Sequence, residues 1–172
     1  MIRPSSLVSP SFGGHTTWVT SLVPQSAWRS IRRKRSRADT AGVKTIRVLL
    51  VDDQPSVRRG LTMRLQLEPD ITVVGEAPDG KAAIEAARVL QPDVLVMDYE
   101  MPEMNGIEAA RSLVAAGIGA NVVMLSIHDN VAVRRAAQGA GVRAFVAKHE
   151  PSEYLLAAIR EAAPPPEEED TS

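Results

Sequence analysis

The chain has 172 residues with 20 basic and 21 acidic side chains, a formal net charge of −1, and is 44% hydrophobic but only 3% aromatic. This length and composition suit one domain with tails, its core built from Val, Leu, Ile and Ala. The lack of cysteine excludes disulfides, thiolate metal sites and Cys nucleophiles, three scattered histidines (His15, His128, His149) argue against a zinc enzyme, and no apolar run reaches the roughly 18 residues of a membrane helix.

The charge is unevenly spread. Residues 1–44 hold eight bases (Arg3, Arg29, Arg32, Arg33, Lys34, Arg35, Arg37, Lys44) against one acid, Asp39, for +7, which leaves −8 on residues 45–172. The first segment is rich in Ser, Thr and Pro and lacks apolar periodicity, so residues 1–44 are expected to form a disordered basic extension. Its acid-poor, Arg/Ser-rich composition also fits an organellar transit peptide. Residues 163–172 begin with three prolines after one alanine and continue into acids, which predicts a disordered acidic tail. The folded unit is therefore expected over residues 45–162.

Within that unit the periodicity alternates between strand and helix. Ile46–Val51 is a nearly continuous apolar run, as in a strand covered on both faces. Pro55 suits a first helical position, and Val57, Leu61 and Leu65 then recur at spacing four. Ile71–Val74 reads as a second strand, followed by the turn signal Pro78-Asp79-Gly80 and an Ala-rich helix over Lys81–Leu90. Val94–Met97 is a third strand, with a helix over Gly106–Ala115 after a turn containing Pro102 and Asn105-Gly106. Asn121–Leu125 and Val142–Ala147 complete the strands, and Val131–Gly139 and Pro151–Ala162 the helices. Five strands alternating with five helices imply right-handed βαβ units, a parallel sheet and a doubly wound α/β fold.

Open parallel sheets bind ligands beyond the carboxyl ends of their strands. The polar residues there are Asp52 and Asp53 after strand one, Asp98 after strand three, Ser126 after strand four and Lys148 after strand five. Singly, each has a plain structural use: a helix cap for the Asp pair, a turn for Asp98, a cap near Asn130 for Ser126, a solvated charge for Lys148. Together on one rim they mean more. Clustered acids raise one another's pKa unless a cation joins them, and an oxygen-only ligand set favours a hard ion, Mg²⁺ before Ca²⁺. Lys148 and Ser126 would serve an anion. Metal, anion and carboxylate together suggest phosphoryl transfer to a carboxylate.

Ile46–Ala162 resembles the receiver domain of bacterial two-component response regulators. The resemblance rests on Val-Leu-Leu-Val-Asp52-Asp53-Gln-Pro, Val-Leu-Val-Met-Asp98-Tyr-Glu-Met-Pro102-Glu-Met-Asn-Gly106, Met-Leu-Ser126-Ile-His and Phe145-Val-Ala-Lys148, all in order and spacing. It implies a flavodoxin-like sheet of order 2-1-3-4-5 and a cytoplasmic signalling domain that is not an enzyme beyond accepting and slowly losing its own phosphoryl group. Asp98 would accept that group from the phosphohistidine of a sensor histidine kinase. Mg²⁺ would be held by Asp53, Asp98 and the backbone carbonyl of Glu100, with Asp52 acting through water. Ser126 and Lys148 would bind phosphoryl oxygens, and Phe145 would be a rotameric switch coupled to the face of helix four, strand five and helix five, a candidate homodimer surface.

The wording around Asp52 and in Leu155–Arg160 is most similar to the subfamily that usually precedes a helix-turn-helix output domain. No such domain is expected here, because the chain ends at Ser172. The alternative is a DNA-binding transcriptional regulator that uses its basic extension or a separate output partner. Arg29, Arg32, Arg33, Lys34, Arg35 and Arg37, with Trp28 adjacent, supply bases for phosphates and a ring for stacking. A haloacid-dehalogenase-like phosphatase would need a D-x-D pair after strand one, and neither Asp52-Asp53-Gln54 nor Asp98-Tyr99-Glu100 provides it. Neither a G-x-G-x-x-G turn after strand one nor a Walker lysine motif is present.

Overall fold

The computed structural model describes residues 45–128 and 130–165. The expected basic extension (1–44) and most of the expected acidic tail (166–172) lie outside the described residues. The described chain forms β1 (Ile46–Val51), α1 (Pro55–Leu65), β2 (Ile71–Ala77), α2 (Gly80–Leu90), β3 (Val94–Asp98), α3 (Gly106–Ala115), β4 (Asn121–Ser126), α4 (Val131–Gly139), β5 (Val142–Ala147) and α5 (Ser152–Ala162). The five strands pair in parallel in the order β2-β1-β3-β4-β5, the expected doubly wound arrangement.

The central strands β1, β3 and β4 are buried on both faces because their side chains alternate between two cores. Val48, Leu50, Val94, Val96, Val123, Leu125 and Val146 pack with Leu65 of α1 and with Leu155, Leu156 and Ile159 of α5. The alternate set, including Leu49, Val51, Leu95, Met97 and Met124, is equally buried, as are Ala83, Ala87 and Leu90 of α2 and Ala109, Ala110 and Leu113 of α3. The many alanines among these residues let α2 and α3 lie close to the sheet.

Strand β2 runs three residues beyond the apolar stretch Ile71–Val74. A register shift between Val48 and Leu49 skips Val74, and Gly75, Glu76 and Ala77 then pair with Leu49, Leu50 and Val51. The signal was hidden because Gly75 has no side chain: a Cβ there would meet Leu90 Cδ1 at 2.5 Å. Helix starts are set by short polar side chains. Asp79 accepts from the Ala82 N–H and Asn130 from the Val133 N–H, while Asn105 and Glu108 form a reciprocal capping box. Asp79, expected in a turn, is thus a cap, whereas Asp52 and Ser126, for which capping was the plain alternative, are not. Among the described residues no helix is long and apolar enough to cross a membrane.

Candidate metal centre

Four of the five strands bring a polar residue at or just past their carboxyl ends to one rim. Asp52 and Asp53 follow β1, Asp98 ends β3, Ser126 ends β4 and Lys148 follows β5. Asp52, Asp98 and Ser126 are buried to within 2% exposure or less, yet all are polar. Burial of this kind is costly unless the groups are paired. Oxygens of Asp52, Asp53 and Asp98 lie within 4.8 Å of one another, close enough to share one ion.

Partners are unequally distributed over these oxygens. Asp52 Oδ1 accepts from the Gln54 N–H at 2.8 Å and its Oδ2 from Lys148 Nζ at 3.1 Å. Asp98 Oδ1 accepts from the Glu100 N–H at 3.1 Å and its Oδ2 from Lys148 Nζ at 2.8 Å. Asp53 Oδ1 is buried without a hydrogen-bond partner. Three carboxylates therefore face one ammonium, and one carboxylate oxygen has nothing to accept from. A hard cation with oxygen ligands fits that donor set. Burial pushes the Asp98 carboxyl up from its ordinary value, over the opposing pull of Lys148 and the Glu100 N–H. Burial works against the charge on Lys148, but the hydrogen bonds to Asp98 and then Asp52 outweigh it and raise its pKa. The ammonium is thus locked in the charged form between two carboxylates.

The backbone around the cluster is tightly fixed. The Tyr99 N–H donates to Leu125 O at 2.8 Å, the Gly106 N–H to Tyr99 O at 2.9 Å, and the Lys148 N–H to Ser126 O at 2.8 Å. A Cβ on Gly106 would lie 2.5 Å from Asp98 O, so the start of α3 rests directly on the backbone of Asp98.

Not every expected residue points into the cluster. The Ser126 hydroxyl turns into its own loop, accepting from the His128 N–H at 2.9 Å and donating to His128 O at 3.1 Å. Phe145 pairs with Met124 across β4–β5 and is half-buried, with the Arg134 guanidinium carbon 4.8 Å from its ring centroid. The side chain of Glu100 reaches His128 Nε2 at 2.9 Å, bridging the loops after β3 and β4. Two contributors escaped the sequence reading. Arg58 donates to Asp52 O at 2.6 Å while pairing with Glu76, which fixes the loop bearing both aspartates. His128 joins the loops after β3 and β4 through Glu100 and holds the Ser126 hydroxyl on its backbone. Neither carries a sequence signal, because long side chains on a helix or loop disclose no destination.

Known proteins agree with this geometry. A profile for the response regulator receiver domain matches residues 48–160. The nitrate/nitrite response regulator NarL of Escherichia coli is 36% identical over 121 residues, covering 67% of this chain and 54% of that protein. The transcriptional regulatory protein YxjL of Bacillus subtilis is 40% identical over 118 residues, covering 69% and 54% respectively. The chain thus spans about half the length of these curated relatives. The signal receiver domain of NarL from Mycobacterium tuberculosis superposes with a TM-score of 0.63 at 32% identity, over 68% of this chain and 98% of that one. The response regulator domain of Thermotoga maritima CheB gives 0.64 at 37%, over 69% and 96%. With the motifs, the sheet order and these matches in agreement, the chain belongs to the response regulator receiver domain family of two-component signalling.

Proposed function

We propose that Asp98 accepts a phosphoryl group from the phosphohistidine of a sensor histidine kinase, and that residues 45–162 form the receiver that does so. In this reading an Asp98 carboxylate oxygen attacks phosphorus, the P–N bond breaks, and the departing imidazole takes a proton from solvent. The observation that carries the reading is the convergence of Lys148 Nζ on Asp98 and Asp52 beside the unpartnered Asp53 oxygen. Asp53, Asp98 and the Glu100 carbonyl would hold Mg²⁺, with Asp52 acting through water. Asp53 Oδ1 suits a direct ligand because it is a buried carboxylate oxygen without a hydrogen-bond partner. When bound, the ion would offset the repulsion between carboxylate and incoming phosphoryl group. Lys148 would pair with one phosphoryl oxygen, and the Ser126 hydroxyl, on leaving His128, would donate to another. The inward turn of Phe145 would follow Ser126 and alter the face of α4, β5 and α5, which carries exposed Val131 and Tyr154.

Intact mass after treatment with a small phosphodonor and Mg²⁺ tests the reading. Wild type should gain one phosphoryl group, lose the gain in EDTA, and show none as Asp98→Asn. Persistent labelling of the Asn variant would move the acceptor elsewhere.

A second reading concerns output. Relatives such as YxjL are named transcriptional regulatory proteins, so DNA contact through residues 1–44 or a separate output partner is the alternative. Our preferred output is phosphorylation-dependent self-association or partner binding, insensitive to deletion of residues 1–44. DNA binding through the extension would be steeply salt-dependent and lost with that deletion. Sedimentation and duplex titration at two salt concentrations separate the two.

A further inference from the structure

The Arg134–Phe145 contact joins the two halves of the region expected to switch. On one side, α4 begins five residues after Ser126 in the sequence: Asn130 caps the helix, and the Arg134 N–H closes its first turn on Asn130 O at 3.1 Å. On the other side, Phe145 lies on β5 three residues before Lys148, whose N–H is bound to Ser126 O. The guanidinium of Arg134 lies against the ring of Phe145, with the guanidinium carbon 4.8 Å from the centroid, within the range where a cation is held by an aromatic quadrupole.

We propose that Arg134 is a positioning residue that holds Phe145 in its half-exposed orientation, so that the ring turns inward only when this cation–π contact breaks. The inference rests on the reading of Phe145 as a switch given above. A cation–π contact at a partly exposed site shifts a two-state equilibrium by roughly two- to fivefold. Coupling is reciprocal, so a variant that releases Phe145 should also accept phosphoryl groups faster by a similar factor.

The chain has two phenylalanines, Phe12 and Phe145, so full-length protein labelled with 4-fluorophenylalanine gives two fluorine resonances, assigned with Phe145→Leu. The solvent isotope shift between H₂O and D₂O reports exposure of the Phe145 ring. In unphosphorylated Arg134→Met that shift should fall, and the resonance should move part-way toward its position in wild type with Mg²⁺ and beryllofluoride. Arg134→Lys, which keeps a cation, should stay close to wild type. Labelling of Arg134→Met by acetyl phosphate should be about two- to fivefold faster.

If Arg134 merely shields the ring, its removal raises the isotope shift instead, and a rise or no change overturns the proposal. The underlying readings fail differently. Absence of an Asp98-dependent bound beryllofluoride signal refutes the acceptor assignment, and the isotope shift still decides what Arg134 does. A bound signal with an unmoved Phe145 resonance refutes the switch, and the proposal with it.

Discussion

Replacing Gly106 with alanine would put a Cβ 2.5 Å from Asp98 O, 3.0 Å from Tyr99 Cα and 3.2 Å from Asp98 C. All three are backbone atoms, so no side chain can swing aside. The first turn of α3 or the end of β3 must retreat by about half an ångström to reach the 3.0 Å that real Cβ contacts respect. Overpacking of this kind costs about 1–3 kcal/mol, and each kcal/mol lowers Tm by about 3–6 °C in a domain of this size. The displaced group is the backbone of Asp98, whose carboxylate is the proposed nucleophile. A half-ångström error there should slow labelling by acetyl phosphate about tenfold. Gly60→Ala is the matched control: Gly60 is exposed in the middle of α1 with nothing within 4 Å of its added Cβ. That substitution should stabilise by about 0.5–1 kcal/mol and leave labelling unchanged. Thermal melts and initial labelling rates of the two variants, side by side, decide the matter. If Gly106→Ala melts no lower than Gly60→Ala, the packing argument is wrong.

Three further outcomes follow from the charges. Burial raises the Asp98 pKa on folding, so the ionised group costs stability once pH rises through the unfolded and then the folded value. Asp98→Asn should therefore be more stable near pH 7, on the order of 1 kcal/mol, with Lys148 still held by Asp52 and the gain fading as pH drops through the carboxylate range; denaturant melts across pH check this. Asp53→Ala should weaken Mg²⁺ more than Asp52→Ala in calorimetric titration, while Asp52→Ala should be the less stable by about 1–3 kcal/mol because it strands the Gln54 N–H and takes one of two acceptors from Lys148; the opposite order would reverse the roles of the pair. Arg160 holds Asp70 below its ordinary pKa, and Arg64 with Arg160 does the same for Glu68, so these pairs stabilise above the carboxylate range and the benefit is lost as pH falls through it. Arg160→Ala should lower Tm slightly at neutral pH, and the deficit should shrink in acid and in high salt, since Arg160 and Asp70 are substantially exposed.

Much of the fold was legible because the strands are short apolar runs closed by polar residues. Val94–Asp98 is the clearest example, with all five residues buried and the last of them an acid. That same ending placed Asp98 on the ligand rim without any structure. Where side-chain patterning failed, the cause was local pairing: β2 continues through Gly75 and Glu76 only because β1 shifts register against it. The site was legible in its short residues and not in its long ones. Asp, Ser and Gly act where they stand, so position implies role. Arg58 and Arg134 reach several ångström from their own backbone, and only the packed structure shows that one fixes Asp52 O and the other covers Phe145. Ser126 marks a further limit, since its position was foreseen but its present partner, the backbone of His128, depends on how the following loop folds.

The ion pairs of Lys148 span 50 residues to Asp98 and 96 to Asp52, so the cation that balances the acidic rim arrives last as the chain is made. While β1 to β4 have emerged from the ribosome but β5 has not, Asp52 and Asp98 have no ammonium between them, and the sheet lacks the edge strand that carries it. On the proposed reading, a nascent chain would lack the cation of its acceptor site until β5 and Lys148 have emerged.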